Sequence, residues 1–118
     1  MSRQLGAEVE DAVQSHLLAS GLRLVARNFL CKVGEIDLIM CDAEVLAIIE
    51  VRYRKSNAYG TPEESVTHSK QRKLFRTAQV FLQRFPKWSS HPCRFDVVAV
   101  EPQGGELSIR WIKNAFTG

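Results

Sequence analysis

The chain has 118 residues, 45% hydrophobic and 25% charged, values that fit one soluble globular domain rather than two. No apolar run approaches the ~20 residues of a membrane-spanning helix, and the N-terminal Met1-Ser2-Arg3-Gln4-Leu5 leads into an acidic helical pattern, not a signal peptide. Cys31, Cys41 and Cys93 have neither CxxC nor Cys/His spacing, so reduced thiols in a cytoplasmic protein are expected rather than disulfides or a zinc site.

The first predicted helix runs from Gly6 to Ser20, with Leu5, Val9, Ala12, Val13 and Leu17 as its apolar stripe and Gly21 as its stop. Leu22 to Phe29 reads as a first strand that sets Leu22, Leu24 and Ala26 against Arg23, Val25 and Arg27. Strands at Glu35–Cys41 and Val45–Tyr53 follow, joined by a tight turn around Asp42-Ala43-Glu44, and Arg54 to Thr61 is a polar loop. A second helix spans Glu64 to Phe85 and stops before Pro86, with Leu74, Phe75, Ala78, Phe81, Leu82 and Phe85 at helical spacing. Lys70 and Gln71 extend that stripe upstream, so Lys70 faces the sheet while Arg72, Lys73 and Arg76 face away; alternatively Lys70 snorkels past the helix end to solvent. After a loop at Lys87 to Pro92, strands at Arg94–Glu101 and Leu107–Ile112 flank the turn Pro102-Gln103-Gly104-Gly105. The order αβββαββ implies an α/β domain with a mixed sheet flanked by helices.

Two strands carry acids where a core strand is apolar: Gly34-Glu35-Ile36-Asp37-Leu38-Ile39 and Ile48-Ile49-Glu50-Val51-Arg52. A buried carboxylate without a partner is costly or takes up a proton, so it calls for a cation, a metal or a hydrogen bond. A two-residue turn at Ala43-Glu44 pairs Asp42 with Val45 and, counting back, Asp37 with Glu50 and Glu35 with Arg52. Opposed Cβ atoms lie about 4.5–5.5 Å apart, close enough for both carboxylates to reach one ion. Magnesium or manganese (Mg²⁺ or Mn²⁺) suits one or two carboxylates completed by waters and phosphate oxygens. The competing arrangement is structural: Glu35 with Arg52, and Asp37 or Glu50 with nearby Lys or Arg, as salt bridges at the sheet edge.

Charge is uneven along the chain. Residues 1–50 hold four Lys/Arg against eight Asp/Glu, whereas residues 52–87 hold nine basic residues against Glu63 and Glu64. The two halves either pair internally or set a basic rim beside an acidic pocket, which suits a polyanion held near a metal. His16, His68 and His91 lack ligand spacing, and Asp96 interrupts an apolar strand as a hydrogen-bonding partner for the core. Tyr53, Tyr59 and Trp88 flank basic residues, where they either stack on bases or pack internally.

In combination, the Ala7-Glu8 helix, Arg27-Asn28, Gly34-Glu35-Ile36-Asp37-Leu38-Ile39, Ile49-Glu50-Val51-Arg52-Tyr53-Arg54, Ser65-Val66-Thr67 with Lys70, and Arg94-Phe95-Asp96-Val97-Val98-Ala99-Val100 resemble the YraN-like family of bacterial proteins nearly end to end. That family looks like a branch of the PD-(D/E)XK nucleases, near the Holliday-junction resolvases. The resemblance implies a restriction-endonuclease-like fold, a single nuclease-like domain over 1–118, DNA as partner and a homodimer by analogy with resolvases. It also implies that Asp37 and Glu50 hold the metal, that the Val51 carbonyl assists, that Glu8 completes the site from the first helix, and that Glu35 supports it. The motif lysine is replaced by Arg52, and arginine stays protonated, so it clamps phosphate but does not serve as a base near neutral pH. Lys70 is the candidate replacement, and Arg52, Arg54, Lys55, Lys70 and Lys73 are the expected phosphate contacts. Three functions are therefore in play: a metal-dependent endonuclease for branched or single-stranded DNA, a catalytically impaired DNA-binding or adaptor module on the same fold, and a protein-interaction domain without nucleic acid, for which no salt-dependent DNA affinity is expected.

Overall fold

Burying two helical stripes and the apolar faces of five strands requires layers, and the chain folds as a sheet with one helix on each side. The computed structural model describes residues 3–55 and 60–117, with side chains from Gly6 onward. Helix α1 (Arg3–Ala19) precedes β1 (Arg23–Leu30), β2 (Glu35–Asp42) and β3 (Val45–Tyr53); helix α2 (His68–Arg84) then crosses to β4 (Cys93–Gln103), which returns as β5 (Glu106–Phe116). The strands lie in the order β1-β2-β3-β4-β5, antiparallel except for β3 with β4. That parallel pair needs a long crossover, which α2 provides. The mixed sheet and the order αβββαββ agree with the α/β, restriction-endonuclease-like class read from the sequence.

Val9, Val13 and Leu17 of α1 are buried against Leu38, Met40, Ala47, Ile49, Val51, Val98 and Val100. Leu74, Ala78 and Phe81 of α2 pack with Val66 on the opposite face, against Ile36, Ile39, Leu46, Ile48 and Val97. The turn between β2 and β3 is the two-residue one, with Asp42 paired to Val45 and Ala43 at φ 53. Helix α2 begins at His68 rather than Glu64: a 3₁₀ turn at Glu63–Ser65 ends in extended Val66, and the Thr67 side chain caps the helix by accepting the Lys70 N–H. It ends at Arg84, and Phe85, which the helical spacing places in the core, instead turns out and is 45% exposed. Asp96 is fully buried and fully partnered, accepting from Arg94 Nε, Trp111 Nε1 and the Asn114 N–H.

Candidate functional site

The site begins with a kink shared by two paired strands. Arg27 pairs with Leu38 and Phe29 with Ile36. Along β1, Arg27 reaches the Ala7 carbonyl, Asp11 and Gln14 on α1, whereas Phe29 packs with Phe81 on α2. Along β2, Leu38 faces α1 and Ile36 faces α2. Residues two apart ordinarily share a face, so both strands change phase at their middle residues, Asn28 and Asp37. Asn28 takes the left-handed conformation, φ 54, that asparagine tolerates better than most residues.

Asp37 therefore stands where the regular sheet stops. The β2–β3 ladder runs from Asp42↔Val45 to Leu38↔Ile49, in the predicted register. Beyond it, the Val51 N–H donates to Asp37 Oδ2 at 2.8 Å, so a carboxylate takes the place of a strand carbonyl. Glu50 shares the α2-facing side of β3 with Leu46 and Ile48 and is 5% exposed. Burial first, and then the neighbouring Glu50, push the Asp37 carboxyl up from 3.8 to about 8, while the Val51 hydrogen bond opposes the rise. Two acids packed closely enough for one to raise the other's proton affinity suit a site that takes a cation.

Cations from two elements already converge on Glu50. Arg52 Nη2 lies 2.9 Å and Lys70 Nζ 3.7 Å from the same oxygen, Glu50 Oε2. Arg52 Nε is buried with no hydrogen-bond acceptor among the described residues, an unused donor at the edge of the pair. The Thr67 cap fixes the first turn of α2, which carries Lys70 over the sheet rather than out to solvent.

The remaining expected site residues divide. Glu8 is exposed, and the acid of α1 whose charge acts on Asp37 is Glu10, 17% exposed and 3.5 Å from Arg27. Helical geometry explains the exchange: Glu10 lies about 60° from the centre of the Val9-Val13-Leu17 stripe and Glu8 about 140°. That difference is readable in the sequence from the stripe alone. The expected Glu35–Arg52 opposition does not form, because the β2–β3 ladder ends before it. Glu35 is exposed and lines a cavity of about 460 Å³ with Glu10 and Arg27, and Arg52 turns to Glu50 instead. Lys55 and Lys73 are exposed, and Arg54 is half-buried with its backbone N–H bonded to the Val100 carbonyl. Tyr59 lies outside the described residues. Trp88 packs against His91 and Lys87 at the far end of α2.

The donor set selects among metals. Among the described residues no three His, Cys, Asp or Glu side chains converge, so the donors that meet here are the two carboxyl groups of Asp37 and Glu50. A carboxylate pair at the point where two strands part fits a hard divalent ion that keeps waters and phosphate oxygens as further ligands.

Comparison with known proteins gives the chain its relatives. A family model described as "Uncharacterised protein family UPF0102" matches residues 9–100. A UPF0102 protein of Stutzerimonas stutzeri is 47% identical over 115 residues, covering 98% of this chain and 96% of that one. Another, of Pseudomonas fluorescens, is 47% identical over 116 residues, covering 98% and 94%. A third, of Pseudomonas savastanoi, is 47% identical over 115 residues, covering 97% and 94%.

Proposed function

The chain belongs to the uncharacterised protein family UPF0102, and from its site we propose a nucleic-acid-binding protein that cleaves DNA phosphodiesters with Mg²⁺ or Mn²⁺. The observation that carries this reading is the convergence of Asp37, Glu50, Arg52 and Lys70 where β2 and β3 part. Asp37 and Glu50 would hold the metal, with Glu10 rather than Glu8 as the helix acid beside them. The ion supplies charge neutralisation and an activated water when bound. Arg52, whose Nη2 already meets Glu50, would turn its guanidinium toward a phosphate oxygen, and Lys70, beside the same carboxylate, would orient the attacking water. Lys55 and Lys73 extend the cationic rim beside the site.

A second reading has its own support. Arg52 and Lys70 both contact Glu50 Oε2, so each competes with a metal for that oxygen. A site neutralised by its own cations suits a module that binds DNA without cutting it.

The test titrates Mn²⁺ and Mg²⁺ against branched, single-stranded and duplex DNA, with wild type, Asp37→Ala, Glu50→Ala, Lys70→Ala and Arg52→Lys. The nuclease reading expects metal-dependent cleavage that falls about 100-fold or more in either carboxylate variant, as when a group acting only in the transition state is removed. It also expects Arg52→Lys to retain cleavage. Cleavage that survives both carboxylate substitutions overturns it. Salt-sensitive DNA binding without cleavage of any substrate, in wild type and in Arg52→Lys alike, supports the second reading.

A further inference from the structure

At the end of α2 away from the carboxylates, the structure leaves an apolar groove open against the edge of the sheet. Among the described residues strand β1 has a neighbour only in β2, so one side of its backbone is open to pairing. Its register shifts between Leu24 and Ala26, where Leu24 turns outward to 42% exposure and Val25 stays half-buried. Across from them stand Phe81, the outward-turned Phe85 and Trp88, and together they line a groove of about 310 Å³. That volume accepts one bulky apolar side chain.

Among the described side chains that line this groove the one charge is that of Lys87. Lys87 lines it with Nζ 5.4 Å from the Trp88 ring centre, and Arg84 lies with Cζ 5.5 Å from the Phe29 ring centre on the same edge strand. Among the described residues no acidic side chain lines the groove, and between Glu64 and Asp96 the sequence contains none. A second copy docked here through its own β1 would bring a second Lys87 and Arg84 to the same edge, and like charges across an interface oppose association. An open strand edge, an apolar socket and a cationic rim together describe one kind of ligand.

We propose that the groove between β1 and the C-terminal end of α2 binds an extended acidic peptide segment of a partner protein, which pairs with the edge of β1 and seats one aromatic or large aliphatic residue among Leu24, Phe85 and Trp88. This surface is separate from the carboxylate site and does not depend on whether that site cuts DNA.

The test pans the full-length chain against a displayed library of random ten-residue peptides, then measures one enriched peptide by fluorescence polarisation. Enriched sequences are expected to combine an excess of Asp and Glu with one bulky apolar residue. Phe85→Ser, an exposed position, is expected to weaken binding about 30-fold, as loss of a principal anchor does. Lys87→Glu is expected to weaken it about tenfold and to remove most of its salt dependence. Both variants are checked for unchanged thermal unfolding, and Asp37→Ala is expected to bind the peptide as wild type does. The proposal is overturned if no peptide enriches or if the enriched peptides lack acidic residues. It also fails if both groove variants bind as wild type, or if the chain pairs with itself through β1 in a Phe85-dependent dimer.

Discussion

Replacing Asp37 with asparagine should change how stability depends on pH more than it changes the fold. The amide oxygen of the substituted side chain can still accept the Val51 N–H that Asp37 Oδ2 accepts at 2.8 Å, so the link between β2 and β3 persists. What disappears is a titration. The folded carboxyl keeps its proton up to about pH 8, against 3.8 when unfolded, because burial and Glu50 disfavour its charge. Its contribution to stability is therefore fully present below pH 3.8 and is lost as pH rises toward about 8. Across that window the wild type should lose up to about 1.4 kcal/mol per pH unit at this position. Even one such unit is a sizeable share of a typical domain stability of about 5–15 kcal/mol. Urea melts of wild type and Asp37→Asn, each with a chelator, measure the difference directly, since the titrations that the two proteins share cancel. The variant should gain steadily on the wild type from about pH 5 to pH 8. Saturating Mn²⁺ should then restore the wild type at the alkaline end, by about 2.7 kcal/mol at one hundred times the dissociation constant, and leave the variant nearly unchanged. Parallel pH curves for the two proteins would refute this account of the carboxylate pair.

Asp96→Ala removes the carboxylate whose two oxygens share Arg94 Nε, leaving half-buried Arg94 with Asp42 alone, and strands Trp111 Nε1 and the Asn114 N–H; it should cost about 3–5 kcal/mol by chemical denaturation. Gly34→Ala would place a Cβ 2.9 Å from Thr77 Oγ1, whose hydroxyl donates to the Lys73 carbonyl. The expected cost is about 1–3 kcal/mol, or roughly 4–15 °C in melting temperature. Ala43→Gly relieves a left-handed residue at φ 53 and should stabilise the hairpin by about 0.5–1 kcal/mol, measured in the same melts.

The hairpin register is legible in the sequence only through the two-residue turn at Ala43-Glu44, since the continuous apolar runs Leu38–Cys41 and Val45–Ile49 do not alternate, and Asp37 and Glu50 then come together just beyond the last ladder pair, Leu38↔Ile49. Its limit is the assumption of regularity. The change of phase at Asn28 and Asp37 depends on a backbone conformation that strand periodicity does not encode, and it ends the ladder before Glu35 can meet Arg52. Motif position points to Glu8, whereas the angle around α1 favours Glu10. The α2 stripe locates Lys70 correctly over Glu50, yet it carries Phe85 into the core. Helical spacing holds only while the helix continues, and this one stops at Arg84.

The parallel pairing of β3 with β4 also sets an order of events as the chain acquires its structure. The β1–β2–β3 meander joins neighbours in sequence and can form early, whereas Glu50 meets Val97 only after the whole α2 crossover has been made. During synthesis the two carboxylates would thus be brought together before Lys70 arrives to accompany them. For that interval the nascent hairpin has Arg52 alone to offset the two acids at its open end. Docking of α2 then adds Lys70 at the same moment as it covers Ile36, Ile39 and Ile48, which ties completion of the site to completion of the core.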